Sequence, residues 1–296
     1  MAITIESSNN NIVTLEEYLD FMHRHVDVSD PDSLASSAAM FKGVLNNKSL
    51  LTDRLNKELA SARDYQGNNT YSAHVMLLEL NEKFIVRANV WEPVRKYQQE
   101  WLTDDEAFSY LYVHDHNFTF MTGGYLGVGY ETTIWEWDGL ELVPEAGQQV
   151  ELRFLEHTSL PEGKIMIYRS STDVHCQKHA PEFSMSLNLL VRPRLGWRPQ
   201  YGFDAETSCV LSAIGTDISS RATLSDIAAF MANGETVQLL WDIMKGHADP
   251  TFRSSALLAL HRVRAVNLEE ALRHASLDRD EQVFSIVESQ LQAANA

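Results

Sequence analysis

The middle of this 296-residue chain carries the feature that most restricts its fold, a change of hydrophobic period from helical to strand-like. Over residues 84–90, apolar side chains alternate with a second set that contains Ile85, Arg87 and Asn89. Successive residues of a strand point to opposite faces of a sheet. Further strand-like runs, separated by turns with glycine or proline, lie at 107–113, 130–137, 149–155, 164–169 and 183–191. Many short strands with such turns are typical of a sandwich or small barrel, so we predict a barrel over residues 76–198.

Helical patterns flank this segment on both sides. Thr14 and Glu17 form a capping-box pattern before the first helix. Other helices are predicted from Asp30-Pro31 to Asn46-Asn47 and at 49–63, and, after Pro199, at 223–233, to 245, 249–262, 267–275 and 279–293. Residues 247–260 look like one HEAT-type helical hairpin. The sequence thus predicts an α+β fold with an N-terminal helical extension (1–75), the barrel (76–198) and a C-terminal helical, HEAT-like extension (199–296).

The acidic composition restricts the partners. Against 24 Lys and Arg stand 41 Asp and Glu, a formal net charge of −17, whereas nucleic acids and anionic membranes attract basic surfaces. The two cysteines, Cys176 and Cys209, favour free thiols in a reducing compartment over a disulfide. The first residues lack the pattern of a signal peptide, and no run of about 18 apolar residues is present. We predict a cytoplasmic protein that binds neither nucleic acid nor membrane.

Two histidines of the predicted barrel, His114 and His116, form the densest chemical signal. Residues two apart in a strand point to the same side, so both imidazoles can aim into the barrel. Imidazoles held side by side are good ligands for Fe, Zn, Cu or Ni. His23 and His25 have the same spacing but lie in a predicted helix, where about 100° per residue turns the rings apart. We therefore do not expect the second pair to bind metal.

A third ligand is needed to hold a metal ion at the first pair. A turn at 161–163 and a strand to Tyr168 are followed by a short return that carries His175. This return brings His175 back beside the first pair, so we predict that it completes the site. His179 and His157 are the alternatives. The competing interpretation is a group of hydrogen-bonded core histidines without a metal.

Together these motifs resemble the cupin fold, a double-stranded β-helix, and within it the cysteine dioxygenase group of thiol dioxygenases. The resemblance covers residues 84–192 and rests on the His-Asp-His strand, the third histidine, Glu131-Thr132, Val86-Arg87-Ala88-Asn89 and Ser186-Leu187-Asn188-Leu189-Leu190. It implies that His114, His116 and His175 bind Fe(II) as neutral imidazoles and leave positions open for O2 and substrate. It also implies that Arg87 holds a substrate carboxylate through two parallel hydrogen bonds.

Three positions depart from the family pattern. Where the family strand has His and Tyr, this chain has Asn188 and Leu190, and Met121 stands where some members carry a cysteine linked to that tyrosine. We expect Asn188 to contact the substrate in place of the missing histidine. The hydrogen-bonding relay beside the metal is thus changed or supplied by other residues. Tyr168 is the predicted catalytic residue, and Tyr125 and Tyr130 are the alternatives.

The predicted function is a mononuclear non-haem iron dioxygenase or oxidase that combines O2 with a small carboxylate-bearing metabolite, an amino acid or a thiol. Glu131 is an alternative fourth ligand of the labile kind that many cupins use. Two other functions stay open. One is a cupin in which Zn, Mn or Ni acts as a Lewis acid in isomerase or lyase chemistry. The other is a non-catalytic protein whose helical extensions bind a partner.

Overall fold

The structure is a computed structural model that describes residues 3–60, 66, 69, 74–93, 110–140, 142, 144–192, 199–214 and 217–293. These residues form an α+β fold with mostly antiparallel strand pairing. The chain divides into two compact units. One consists of Met1–Pro193 and Tyr201–Ser212, and the other of Arg194–Gln200 and Ala213–Ala296.

The N-terminal region contains one short strand, β1 (Ile3–Ile5), and four helices, α1 (Leu15–His25), α2 (Pro31–Ser36), α3 (Ala38–Asn46) and α4 (Leu50–Ala60). The predicted capping box is confirmed, because Thr14 Oγ1 accepts from Glu17 N at 3.1 Å while Glu17 Oε2 accepts from Thr14 N at 2.8 Å. The helix predicted from residue 30 to 46 is instead two helices that meet at Ser37. The Ser37 hydroxyl donates to the Leu34 carbonyl at 2.7 Å, a local bond that competes with a continuous helix.

The strands that follow in the described residues are β2 (Val75–Leu80), β3 (Phe84–Trp91), β4 (Phe120–Leu126), β5 (Glu131–Glu136), β6 (Arg153–Ser159), β7 (Ile165–Tyr168), β8 (Asp173–Gln177), β9 (Ser184–Val191), β10 (Gln200–Asp204) and β11 (Cys209–Ile214). The large sheet has the order β1-β7-β4-β9-β3-β2. A second sheet has the order β6-β5-β8, and β10 pairs with β11.

The large sheet separates two hydrophobic cores. One face packs against the N-terminal helices and buries Val86, Ala88, Met121, Leu187 and Leu189. The opposite face contributes Trp91, Phe120, Met166, Tyr168 and Leu190 to a second core, which also contains Tyr130 and Ile134 from the region of β5. We call this second face the interior face. Directly paired residues of antiparallel strands share a face, so Tyr168, Phe120, Leu190 and Ile85 form one row across it.

The second sheet continues through residues 113–115 to β10. His114 bridges to His175 on one side and to Gly202 on the other, and Phe203 N donates to Val113 O at 2.9 Å. Within the described residues, no ladder joins the two sheets into a closed barrel. The predicted barrel is therefore a pair of sheets in this structure, with an interior core between them.

Strands β10 and β11 lie at the start of the segment predicted as a helical extension (199–296), before the first helix predicted there, at 223–233. Tyr201, Phe203 and Val210 are buried with Trp137 in a small aromatic core. These strands depend on pairing with residues far away in the sequence, which local patterns do not reveal. The strand predicted at 107–113 also differs, because Leu111 has a φ of 58° that interrupts an extended chain. Residues 107–109 lie outside the described residues.

The second unit is helical over residues 217–293, with α5 (Asp217–Phe230), α6 (Gly234–Gly246), α7 (Pro250–Arg262), α8 (Leu268–Ser276) and α9 (Glu281–Ala293). The segment predicted as a helical hairpin, residues 247–260, instead contains a bend followed by the single helix α7. Asp249 caps α7 by accepting from Thr251 N at 2.8 Å. Inside this unit, Arg253 is 1% exposed and donates two hydrogen bonds to Asp278, at 2.9 and 2.7 Å. No helix among the described residues is long and apolar enough to span a membrane.

Candidate metal centre

Two of the three predicted ligands lie directly opposite each other on neighbouring segments. His114 N donates to His175 O at 3.0 Å, and His175 N donates to His114 O at 2.8 Å. When two antiparallel residues exchange both bonds, their side chains project from the same face. The two ring centroids are 4.6 Å apart. Backbone pairing therefore brings these imidazoles together.

His116 reaches the same place because the chain runs on in an extended form. Its ring centroid lies 4.8 Å from that of His114 and 5.1 Å from that of His175. The intervening Asp115 is fully buried and turns to β10, where its Oδ1 accepts from Tyr201 N at 2.6 Å. The prediction that His114 and His116 point to the same side is confirmed, although of these two histidines only His114 forms a β-bridge.

The ligand atoms of the three imidazoles lie within 4.8 Å of one another. His175 Nε2 and His116 Nε2 are 3.1 Å apart. This distance fits a hydrogen bond between the two rings, and it also fits two nitrogens that each lie about 2.1 Å from one ion and subtend roughly a right angle. His114 Nδ1 lies 2.9 Å from the Tyr112 carbonyl oxygen, which can only accept, so Nδ1 carries the hydrogen. The lone pair of His114 is then on Nε2, where a metal can bind it.

Burial keeps two of these imidazoles neutral. It lowers the pKa of His114, and the hydrogen bond to the Tyr112 carbonyl opposes the shift without reversing it. The pKa of His175 lies well below its usual range, first because the ring is buried and then because His114 and His116 would repel its positive charge. A metal ligand must be a neutral imidazole. The donor set, its spacing and the neutral state of His114 and His175 thus fit a divalent metal ion.

The structure places the alternative ligands elsewhere. His179 packs against the Tyr110 ring, with centroids 4.1 Å apart. His157 lies on β6, where its Nε2 is 3.5 Å from Glu131 Oε2. Glu131, considered as a fourth ligand, therefore stands beside His157, with a side chain that is 54% exposed. Among the described residues, His114, His116 and His175 are the one group of three or more metal-ligating side chains.

Acidic residues close to the ligands in sequence are engaged in other contacts. Asp115 binds the Tyr201 amide. Asp173, two residues before His175, accepts from Arg169 N at 2.7 Å and from Arg169 Nη2 at 2.6 Å. No carboxylate belongs to the histidine cluster in the part of the chain that the structure describes. Three neutral imidazoles leave the charge of a divalent cation uncompensated, which favours an anionic ligand.

Aromatic rings from the interior face lie against the imidazoles. Phe120 and Tyr168, which are partners on β4 and β7, stack with centroids 4.7 Å apart and planes 5° apart. The Tyr168 centroid is 4.8 Å from that of His175, and the Phe120 centroid is 5.1 Å from that of His116. Phe118 stacks on His116 at 4.7 Å. The histidines therefore face the interior core.

Arg87 and Asn188, the predicted substrate-binding residues, are direct partners on the interior face. Asn188 of β9 pairs with Arg87 of β3 on one side and with Thr122 of β4 on the other. This row is adjacent to the row that contains Phe120. A strand spacing of about 4.8 Å and a rise of about 6.8 Å per two residues place the Cα atoms of Asn188 and Phe120 roughly 8 Å apart. A cation and an amide thus share the face that carries the aromatic rings.

Of the three tyrosines considered for hydrogen bonding near the metal, two lie in the interior core. Tyr130 and Tyr168 are buried there. Burial, and then the neighbouring Tyr130, raise the pKa of the Tyr168 hydroxyl well above its usual value. Tyr125 lies on the opposite face, where its hydroxyl donates to Asn47 O at 2.7 Å. Met121 packs on that face as well, in the core beside the helices.

The second His-x-His pair lies in α1, as predicted. The His23 ring packs against Phe84 with centroids 5.3 Å apart, and the His25 ring packs against Phe21 at 5.3 Å. The two rings therefore contact different neighbours. Helical geometry separates side chains that an extended chain would bring together.

Sequence reasoning missed the polar residues around Asn188. Asn188 Oδ1 accepts from Thr122 Oγ1 at 2.5 Å and from Ser186 Oγ at 3.4 Å, and Ser186 Oγ accepts from Trp91 Nε1 at 2.9 Å. The alternation of side chains along the strands could have indicated these residues. Trp91 lies on the same face of β3 as Arg87, and Ser186, two residues from Asn188, lies on the same face of β9 as Asn188. Only the strand register shows that the four residues meet.

No protein-family model matches the sequence, and no curated protein sequence matches it. Similar solved structures include DMSP lyases (12% identity, 40% of this chain and 43% of that chain, TM-score 0.24). They also include salicylate 1,2-dioxygenase from Pseudoaminobacter salicylatoxidans (7% identity, 47% of this chain and 32% of that chain, TM-score 0.26). A cupin domain from Bordetella pertussis is similar as well (8% identity, 42% of this chain and 97% of that chain, TM-score 0.21). The chain thus spans less than half of the lyase and about a third of the dioxygenase. Likenesses this distant do not assign the fold or the activity.

Proposed function

We propose that this chain is a cupin-type mononuclear non-haem iron dioxygenase or oxidase that acts on a small carboxylate-bearing metabolite, an amino acid or a thiol. The observation that carries the proposal is the convergence of His114, His116 and His175, with ligand atoms within 4.8 Å of one another. Fe(II) held by three imidazoles supplies redox chemistry with O2 at the positions that the protein leaves open. Imidazoles also suit Zn, Cu and Ni, so the preference for iron rests on the resemblance to thiol dioxygenases.

Arg87 and Asn188 bind and orient the substrate in this proposal. The planar guanidinium can donate two parallel hydrogen bonds to a carboxylate. Arg87 lies two strands and one row from Phe120, which places the two Cα atoms roughly 12 Å apart. The arginine side chain and a small metabolite together can span that distance. The carboxylate end then lies at Arg87 and the reacting end at the histidines.

Tyr168 acts as a hydrogen-bond donor in this proposal. Because burial raises the pKa of its hydroxyl, Tyr168 keeps its proton at neutral pH and does not serve as a base. Its ring stands 4.8 Å from that of His175, so its hydroxyl belongs to the same side of the interior core. From there it can donate to a substrate atom beside the metal ligands.

A cytoplasmic location is part of the proposal. Cys176 and Cys209 are both free thiols in the structure, in agreement with a reducing compartment.

Metal analysis combined with O2 uptake tests the proposed function. We expect protein purified without oxygen to bind one Fe(II) per chain and to consume O2 with one member of a panel of amino acids and small thiols. Bound zinc, manganese or nickel together with isomerase or lyase turnover and no O2 uptake would favour Lewis-acid chemistry instead. A folded protein that binds no stoichiometric metal would favour the non-catalytic interaction protein.

A further inference from the structure

We propose that Trp91 and Ser186 are positioning residues that hold the Asn188 amide in one orientation, so that Arg87 and Asn188 together accept an anionic group and reject its neutral amide. This inference rests on the proposed function, because it concerns the same substrate-binding face. It adds two residues that do not touch the substrate themselves and act through Asn188.

A chain of hydrogen bonds with a fixed direction runs from Trp91 through Ser186 to Asn188. The Trp91 indole nitrogen can only donate, and it donates to Ser186 Oγ at 2.9 Å. Ser186 Oγ in turn lies 3.4 Å from Asn188 Oδ1 and donates to it. All three residues are buried, with exposures of 5%, 1% and 5%. The indole fills one acceptor position of Ser186, and the hydroxyl hydrogen is directed to Asn188.

Thr122 supports the same orientation from the neighbouring strand. Its Oγ1 donates to Asn188 Oδ1 at 2.5 Å, and Thr122 is 1% exposed. If the amide were reversed, its nitrogen would face both hydroxyl groups, and their hydrogens would lose this acceptor. A buried donor without an acceptor is unfavourable. Ser186 and Thr122 therefore select the orientation in which the amide oxygen faces them.

The amide nitrogen of Asn188 is left facing away from these hydroxyls. Among the described residues, none accepts a hydrogen bond from it. Its direct cross-strand partner is Arg87, whose guanidinium also only donates. Two groups that only donate cannot bond to each other, but they can share an acceptor. A carboxylate supplies acceptors alone, whereas a carboxamide brings an N–H group that one of these donors would meet.

Acetate and acetamide are suitable probes, since they differ only in this group. We expect acetate to shift the side-chain amide signals of Asn188 saturably in NMR spectra of the ¹⁵N-labelled full-length protein, and acetamide at equal concentration not to do so. Ser186→Ala should weaken acetate binding about fivefold or more and change the Trp91 indole N–H signal. Ser186→Cys, which keeps a weak donor, should lie between the two.

Ser184→Ala is the matched control. Ser184 is also buried on β9, but its hydroxyl accepts from Gly129 N at 3.1 Å and donates to Glu182 O at 3.0 Å. We expect this variant to bind acetate as the wild type does. Trp91→Phe, which removes the donor at the start of the chain and keeps a smaller aromatic ring, provides a second variant in case Ser186→Ala does not fold.

The outcomes separate the two proposals. Acetate binding to Asn188→Ala is followed through the backbone amide signals of β9, because this variant lacks the side-chain amide. If Asn188→Ala weakens acetate binding while Ser186→Ala and Trp91→Phe leave it unchanged, the positioning role is overturned and the proposed function stands. If the wild type shows no saturable shift with acetate, or Asn188→Ala binds it normally, the anion site itself is wrong. The substrate-binding part of the proposed function then fails as well.

Discussion

His114 and His175 are directly opposite residues of an antiparallel pair, joined by two backbone hydrogen bonds of 3.0 and 2.8 Å. The register of this pair determines the candidate site, because a shift by one residue would turn one imidazole to the other face of the sheet. Gly202 of β10 pairs with His114 on its other side, so backbone pairing fixes the register of His114 on both sides. The candidate metal centre therefore depends on strand pairing as much as on the identity of its ligands.

Gly202→Ala should weaken metal binding without changing a ligand. A Cβ atom at Gly202 would overlap the Tyr112 side chain, and the Tyr112 carbonyl fixes His114 through Nδ1. Changes to such supporting contacts typically cost about 10-fold to 100-fold in metal affinity. Competition with a chelator measures the affinity. Gly234→Ala, at a position with open space around it, should bind metal normally, and normal binding in both variants would refute this role of Gly202.

Arg87→Lys should lower turnover by about tenfold or more while iron content and stability stay close to wild type. Lysine keeps the charge but loses the planar fork that binds a carboxylate through two hydrogen bonds. Steady-state O2 uptake and urea unfolding provide the two readouts. Arg192→Lys, at an exposed position just after β9, is the control and should change neither. A strongly destabilised Arg87→Lys protein would indicate an internal salt bridge in place of a substrate contact.

Tyr168→Phe should reduce kcat by about a hundredfold and leave metal stoichiometry unchanged. The variant keeps the ring that stacks on Phe120 and removes only the hydroxyl, which is protonated because burial raises its pKa. Tyr125→Phe removes a hydroxyl from the opposite face and serves as the comparison, with normal kcat expected. Equal kcat in the two variants would show that Tyr168 has no catalytic role.

Asp278→Asn should destabilise the helical unit by about 3 kcal/mol and make its stability less dependent on pH. Burial raises the pKa of Asp278, but hydrogen bonds and positive charge from Arg253 outweigh this and lower it. Stability from such a carboxylate is present above the unfolded pKa of about 3.9 and is lost as pH falls through the lower folded value. Urea unfolding at neutral and acid pH measures both effects.

The control for this change is the half-exposed ion pair between Arg262 and Asp226 in the same unit. Asp226→Asn should cost less than about 1 kcal/mol, since solvent screens exposed pairs. If the two variants lose equal stability, the burial of the Arg253–Asp278 pair has no energetic consequence.

The sequence predicted those parts of the fold and site that depend on local patterns. Alternation in an extended chain placed His114 and His116 on one side, and helical geometry separated His23 from His25. The capping box at Thr14 and the start of α7 at Asp249-Pro250 were likewise readable, because each is a contact between near neighbours.

The missed parts depend on contacts between distant residues. Strand β10 follows Pro199 and pairs with the His114 segment, which lies far earlier in the chain. The contact between Trp91 and Ser186 spans 95 residues. No hydrophobic period and no sequence motif identifies such pairs of residues, because the register of the strands across the sheet determines which residues pair. Chain length and turn positions indicate that strands pair, but they do not specify which side chains meet.

The most direct test of the account is the metal content of His175→Ala beside His179→Ala, with both proteins purified without oxygen and analysed for iron and zinc. His175 lies in the cluster whose ligand atoms are within 4.8 Å of one another, whereas His179 packs against Tyr110. We expect one iron per chain in the wild type and in His179→Ala, and almost none in a folded His175→Ala protein. Full iron in His175→Ala, or its loss in His179→Ala alone, would contradict the three-histidine centre.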